Sequence, residues 1–167
     1  MKLGQVVVTA DGTRARFFTL EHTAEPSVES SPYLLERADV INSEHRQPSR
    51  DKYSTTRTGF NAAPSHGPHR YDDHRVRQEG EHERRFAREV AERALDIAKT
   101  AHASRLIVAA EKRMLGLLRE ALDTSAASSI EVKELAKDLT RLAPLELQEQ
   151  LAAHGMLPER RPPGPGR

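Results

Sequence analysis

Residues 104–122, SRLIVAAEKRMLGLLREAL, decide the fold of this chain. Within them, residues 106–110 (LIVAA) form a continuous apolar run, which is typical of a strand buried on both faces. Residues 112–122 then predict a helix, because their apolar side chains recur at steps of three or four. A buried strand that runs directly into an amphipathic helix indicates an α/β domain.

Upstream of this unit, the sequence predicts three strands in succession. Residues 6–10 are β-formers, and Asp11-Gly12 suits the positive φ angles of a tight hairpin turn. Residues 14–20 alternate over part of their length and predict the second strand. Residues 33–41 predict the third, although residues 35–38 are also compatible with a helix. Together these segments indicate a three-strand meander.

Helices and strands alternate after the meander. Apolar residues recur at steps of three or four from Phe86 to Ala101, which predicts the first helix. A fifth strand is predicted around Val132, where apolar and charged residues alternate. Pro144 suits the first turn of a last helix and Gly155 suits its end.

The predicted element order is therefore β-β-β-α-β-α-β-α, which is the order of the ribonuclease H-like fold. Right-handed crossovers would place the fourth and fifth strands parallel to the first. We predict one domain over residues 1–155, an α/β fold with a mixed sheet. Residues 156–167 are rich in Pro, Gly and Arg, and this composition predicts a disordered tail.

A long polar segment, residues 43–80, separates the third strand from the first helix. It holds seven basic and five acidic residues and no apolar periodicity. Such a segment buries too little apolar surface to offset its ordering entropy. We predict a flexible inserted loop, a feature that in compact domains is either functional or disordered.

Bulk composition excludes several classes of protein. The chain has no Cys, which excludes disulfides, thiol catalysis and Cys-ligated zinc. Its net charge of +1 indicates a balanced surface, so any contact with nucleic acid would be a local patch. No signal-peptide h-region or membrane-length apolar run is visible, and a cytoplasmic protein is predicted. No P-loop or dinucleotide fingerprint is present, so no cofactor is expected.

Five short stretches suggest a family. They are ADGTRARFF (10–18), HERRFARE (82–89), LIVAA (106–110), LGLLR (115–119) and KDLT (137–140). In this order, over about residues 3–152, they resemble the bacterial host attachment protein family, which is described as required for attachment to host cells.

The resemblance implies a fold and a possible ligand. That family looks like a bacterial relative of the central domain of archaeo-eukaryotic release factors and of the ribosome-rescue factor Pelota, which implies the ribonuclease H-like fold. The Gly-Gly-Gln loop of release factors has no counterpart in this sequence, so peptide release by that route is not expected. Contact with RNA or the ribosome is what the resemblance implies by analogy.

Acidic residues near the predicted strand ends are candidates for a two-metal nuclease site. Such a site needs several carboxylates that converge within a few ångström. The candidates are Asp11, Glu83 or Glu89, Glu111 and Asp138. The alternative is structural: Asp11 and Asp138 would hold turns, and the two helical glutamates would lie on a solvated face.

Histidine and basic residues supply two further candidate sites. His66, His69 and His74 have a spacing conceivable for zinc or nickel, against the alternative of a solvated loop. The second site would bind the phosphates of RNA. Its candidate residues are Arg14, Arg16, Arg46, Arg50, Lys52 and Arg57. The alternative is an ordinary exposed strand face with a charged loop beside it.

Three hypotheses follow. The first is a non-catalytic cytoplasmic binding protein that contacts RNA or the ribosome through the polar loop and the Arg14/Arg16 strand. The second is a metal-dependent nuclease of ribonuclease H type. The third is an adaptor for a protein partner, linked only indirectly to attachment to host cells.

Overall fold

Strands and helices follow one another in the predicted order. The computed structural model describes residues 2–44, 69–125 and 129–164. The elements are β1 (Lys2–Ala10), β2 (Arg14–Glu21), β3 (Tyr33–Ile41), α1 (His69–Thr100), β4 (Arg105–Ala110), α2 (Lys112–Thr124), β5 (Glu131–Ala136) and α3 (Pro144–Ala153). No helix within the described ranges combines the length and the hydropathy needed to cross a membrane.

The strands form one mixed sheet in the spatial order β3-β2-β1-β4-β5. β1 and β2 are antiparallel, as are β2 and β3. β4 lies between β1 and β5 and is parallel to both. The α/β class, the element order and the parallel placement of the fourth and fifth strands are therefore confirmed. The ribonuclease H-like assignment itself stays a prediction.

Both faces of the sheet are covered, and adjacent residues on one strand serve opposite faces. Phe17 and Phe18 of β2 are both fully buried. Phe17 packs in the cluster formed with α1 and α2, whereas Phe18 packs in the cluster formed with α3. Val108 and Ile107 of β4 divide between the two clusters in the same way. The prediction that β4 is buried on both faces is confirmed.

The turn between β1 and β2 differs from the predicted one. Gly12 does not adopt a positive φ, and among the described glycines Gly4 and Gly155 do. Asp11 instead accepts hydrogen bonds at Oδ1 from the backbone N–H groups of Thr13 (2.7 Å) and Arg14 (2.8 Å). A side chain therefore holds the turn, and no left-handed residue is needed.

The polar loop ends earlier than predicted, because α1 begins at His69, several turns before its apolar periodicity starts. Residues 74–79 are exposed, so burial does not support this part of the helix. Arg75 and Glu79 stand four positions apart there, a spacing that stabilises a helix without an apolar face. Residues 45–68 of the predicted loop lie outside the described residues.

Residues 156–164, which belong to the tail predicted to be disordered, pack against the domain. Leu157 is 6% exposed and joins the apolar cluster of α3. Gln148, buried on α3, donates from Nε2 to the carbonyl oxygens of Pro32 (2.9 Å) and Pro158 (3.3 Å). The prediction of disorder is therefore wrong for residues 156–164. Contacts with residues far away in the sequence order them, and composition does not reveal such contacts.

Replacing Leu157 by Ala tests whether the tail belongs to the core. We expect the free energy of unfolding to fall by about 2–5 kcal/mol, because the substitution leaves a cavity between the tail and α3. Urea unfolding followed by circular dichroism measures the change. Leu145→Ala is the matched control, since Leu145 is 45% exposed and its truncation should cost about 0.5 kcal/mol or less. Equal losses in the two variants would contradict the ordered tail.

Candidate functional site at the carboxyl edge of the sheet

Three candidate acids follow the carboxyl ends of the parallel strands. Ala10 of β1 is in register with Ala110 of β4, which is in register with Ala136 of β5. Asp11 and Glu111 come directly after two of these residues, and Asp138 comes two residues after the third. The fold therefore brings these acids to one edge of the sheet. In open α/β sheets this edge is the usual place for ligands.

Two of these acids hold backbone turns. Asp11 Oδ1 accepts the two turn N–H groups described above and also the hydroxyl of Thr13 (2.8 Å). Asp138 Oδ1 accepts the backbone N–H (3.0 Å) and the hydroxyl (2.5 Å) of Thr140. These contacts agree with the structural alternative that the sequence left open for both residues.

The remaining acids do not complete a metal site. Glu111 occupies the position before α2, and its carbonyl oxygen accepts the N–H of Leu115 at 2.8 Å. Its carboxylate makes no capping bond. Glu83 forms an ion pair with Arg113 at 2.7 Å, and Glu89 is exposed on α1. Within residues 2–44, 69–125 and 129–164, no three His, Asp or Glu side chains are grouped to hold a metal ion.

Of the three histidine candidates for a metal site, the structure describes the positions of His69 and His74. His66 lies outside the described residues. His69 is the first residue of α1, and His74 is exposed further along the same helix. The metal hypothesis for these three residues stays a prediction.

Arg14 belongs to a ladder of ion pairs between β2 and β3. Its Nε and Nη2 atoms donate to the two carboxylate oxygens of Asp39 at 2.8 and 2.5 Å. Both side chains are about two-fifths exposed. These hydrogen bonds from Arg14 hold the pKa of the Asp39 carboxyl below its ordinary value. A further ion pair joins the same two strands, and in it β3 supplies the cation, Arg37, and β2 supplies the acid, Glu21.

Arg16 is the buried member of this ladder, with 8% of its surface exposed. Its Nε and Nη2 atoms donate to Glu36 at 2.9 and 2.7 Å. Its Nη1 atom donates to the carbonyl oxygens of Thr140 (3.1 Å) and Leu142 (2.6 Å). The guanidinium also lies 5.0 Å from the ring centre of Phe18, on the same face of β2. All three nitrogens of the group are engaged within the protein.

The two strand arginines are therefore bound to acids, and Arg16 is also shielded from solvent. A phosphate would have to displace Glu36 to reach Arg16, whereas Arg14 keeps about two-fifths of its side chain exposed beside Asp39. The other RNA-binding candidates of the sequence lie outside the described residues. They are Arg46, Arg50, Lys52 and Arg57.

Glu44 forms a contact that no sequence pattern indicates. Its carboxylate binds Nδ1 of His82 through Oε2 and accepts a bond from Arg85 at 3.0 Å through Oε1. The hydrogen bond from His82 is the main cause that lowers the pKa of Glu44. The backbone N–H of Glu44 donates to Asn42 Oδ1 at 3.2 Å. The side-chain amide of Asn42 donates in turn to the carbonyl oxygen of Gly12 at 3.1 Å. Glu44 thus joins the end of β3 to α1, at the base of the polar segment.

Comparison with known proteins identifies a family whose model matches most of the chain. A family model described as "Protein required for attachment to host cells" matches residues 6–151. The match includes the β1–β2 turn, the ion-pair ladder and the carboxyl edge. No curated protein matches the chain.

Replacing Arg16 by Met tests whether the buried guanidinium is a structural requirement. We expect a loss of about 3–5 kcal/mol in the free energy of unfolding, because Glu36 and two carbonyl oxygens lose their donor. Arg16→Lys should recover only part of the loss, since an ammonium cannot reproduce the planar fork. Arg14→Met is the matched control and should cost about 1 kcal/mol or less, as expected for an exposed pair. If Arg16→Met and Arg14→Met cost the same, the structural role of Arg16 is wrong.

The Arg14–Asp39 pair predicts a pH dependence of stability. The pKa of Asp39 is lower in the folded than in the unfolded protein, so its contribution is complete above the unfolded pKa of about 3.9. The contribution disappears as the pH falls through the folded pKa. Asp39→Asn should therefore cost about 0.2–1 kcal/mol at pH 6 and less at pH 2.5, as measured by urea unfolding. In an Arg14→Gln background the same substitution should have no further effect, and a persistent effect would contradict the pairing.

Proposed function

The chain belongs to the family of proteins required for attachment to host cells, and we propose that it acts as a non-catalytic binding protein that contacts RNA, including ribosomal RNA. The contact surface would be the segment 43–80, which follows β3 and precedes the part of α1 that packs on the sheet. Attachment to host cells would then be an indirect consequence of binding inside the cell. The cytoplasmic location stays a prediction.

One observation carries the non-catalytic part of the proposal. Of the three acids that the fold brings to the carboxyl edge, Asp11 and Asp138 hold backbone turns, and Glu111 is exposed. Oδ1 of Asp11 and Oδ1 of Asp138 are thus already occupied, and within the described residues no three His, Asp or Glu side chains are grouped to hold the metal ions that such catalysis needs. Binding by a neighbouring segment needs no metal ion.

The position of the polar segment supports the choice of this segment as the contact surface. Glu44, at the end of β3, is bonded to His82 and Arg85 of α1, so the segment leaves and re-enters the domain at the carboxyl edge. Arg75 and Arg77 are exposed on the helical turns beyond that contact. Cations at these exposed helical positions can contact phosphates without displacing acids of the sheet.

The sequence of the segment supports RNA as the ligand. Its cations alternate with Tyr53, Phe60 and Tyr71, and aromatic side chains stack on unpaired bases. The relation to release factors and Pelota, which first suggested RNA, stays a prediction. No Gly-Gly-Gln sequence is present, so the proposal concerns binding and not peptide release.

Co-sedimentation of the protein with ribosomes and with total RNA tests the proposal. We expect association at about 50 mM salt that weakens as salt rises, because phosphate contacts release counterions. Replacing Arg46, Arg50, Lys52 and Arg57 together by Gln should make the slope of log affinity against log salt shallower. The expected change is up to about 0.7 for each phosphate that the variant no longer binds. Absence of association at the lowest salt would overturn the RNA proposal.

A matched variant separates local contact from net charge. Replacing Arg88, Arg93, Lys99 and Lys137 by Gln removes the same charge from exposed positions on other parts of the domain. This variant should bind like the wild type if the segment 43–80 makes the contact. An equal loss in both variants would indicate general charge attraction. Association that survives nuclease treatment would instead identify a protein partner.

An assay for nuclease activity tests the non-catalytic part separately. The protein is incubated with RNA and with RNA/DNA hybrids in Mg²⁺ or Mn²⁺, and we expect intact substrates. Cleavage that is abolished by Asp11→Asn and by Glu111→Gln would overturn the proposal in favour of the nuclease. Both variants should be compared at equal folded fraction, because Asp11 also holds the β1–β2 turn.

A further inference from the structure

Residues 158–164 lie on the domain as an extended segment held mainly by backbone bonds. Arg161 and Ser31 exchange both backbone hydrogen bonds, each 3.0 Å long, in an antiparallel bridge. The N–H of Gly164 donates to the carbonyl oxygen of Pro26 at 3.1 Å. Two side chains add to these contacts: Arg160 Nε donates to Ser30 Oγ at 2.5 Å, and Gln148 Nε2 donates to the carbonyl oxygen of Pro158 at 3.3 Å.

These backbone hydrogen bonds depend little on the amino-acid sequence of the segment that they hold. The residues 158–164 are all exposed, in contrast to Leu157 just before them. Backbone pairing fixes the direction and register of an extended peptide, and pockets beside it select side chains. The backbone groups of Ser31 and the carbonyl oxygen of Pro26 could therefore pair with another extended peptide in the same way.

Two open cavities flank the segment, and residues 158–164 form part of the wall of each. One has a volume of 600 Å³ and lies against α3, where Leu145 is 45% exposed. The other has a volume of 830 Å³ and includes Leu3 of β1. Glu159 and Pro162 line both cavities. A charged and a short cyclic side chain leave the apolar walls of these cavities uncovered.

We propose that this groove binds, in place of residues 158–164, an extended peptide of a partner protein that carries large apolar side chains at the positions of Glu159 and Pro162. Such a peptide keeps the backbone bridge to Ser31 and adds apolar contacts on both sides. The tethered tail competes at an effective concentration in the millimolar range, so a displacing peptide must gain affinity from the cavities. The tail thus excludes weak ligands.

The groove is separate from the proposed RNA surface. It includes Leu3 near the start of β1, His22 just after β2 and Ser31 just before β3. These positions lie at the opposite end of the sheet from the segment 43–80. Failure of the RNA experiment and failure of the groove experiment are therefore distinguishable.

The full-length chain with Arg161→Pro provides the test. Proline has no N–H to donate to Ser31, so one of the two bonds of the bridge is lost and the tail is held more weakly. Arg161→Ala is the matched control, because it removes the side chain and keeps the backbone donor. The probes are two fluorescent peptides, one with the sequence of residues 158–164 and an analogue with Leu at the positions of Glu159 and Pro162. Fluorescence anisotropy measures their affinities for the wild type and both variants.

We expect the Leu analogue to bind the Arg161→Pro chain at least about tenfold more tightly than the parent peptide, because two apolar side chains become buried. It should also bind that chain more tightly, by a similar factor, than the wild type or Arg161→Ala. Equal affinity of the two peptides, or equal affinity across the three proteins, would overturn the proposal.

A second measurement covers the case in which Arg161→Pro does not fold. The Leu analogue is then added at millimolar concentration to the isotope-labelled wild type. The amide signals of Ser30 and Leu145 should shift with the analogue and not with the parent peptide. Unchanged signals with both peptides would overturn the proposal.

Discussion

The buried guanidinium of Arg16 needs hydrogen-bond acceptors, and the segments that supply them meet around it. Arg16 is 8% exposed, and a guanidinium in that environment is stable only with acceptors around it. Glu36 of β3 supplies two of them, and the carbonyl oxygens of Thr140 and Leu142 supply the others. One side chain of β2 therefore links the edge strand β3 to the connection from β5 to α3. The position of α3 on the second face of the sheet depends on that connection.

Acids at the carboxyl edge order the segments that surround Arg16. Asp138 orders the connection that contains Thr140, and Asp11 orders the turn that precedes Arg14. Carboxylates at the ends of parallel strands are usually regarded as candidate ligands for metal ions or substrates. Their hydrogen bonds here are short-range and local, so they stabilise the scaffold beside which a binding segment emerges. This is the physical basis for proposing binding without catalysis.

The two proposed surfaces differ in how they relate to the family. The family match covers residues 6–151, so it includes the ladder, the carboxyl edge and the segment 43–80. Residues 156–164, which close the groove beside α3, lie beyond the matched range. The RNA proposal therefore concerns the part of the chain that the family model covers. The proposed peptide groove extends beyond that part through its tail, although its walls at Ser31 and Leu145 lie within it. It would add an adaptor role to the proposed contact with RNA.

Sequence alone determined the parts of the structure that local patterns control. The partial alternation in β2 predicted a strand, the apolar run of β4 predicted burial on both faces, and the element order with right-handed crossovers predicted the parallel strands. Three features were decided only in three dimensions: the early start of α1, the ordered tail and the burial of Arg16. Arg16 is paired with residues 20 and 124 positions away, and Arg161 with a residue before β3. Periodicity and composition describe neighbours along the chain, whereas the partners that satisfy a buried charge or a backbone donor are set by the packing of distant segments.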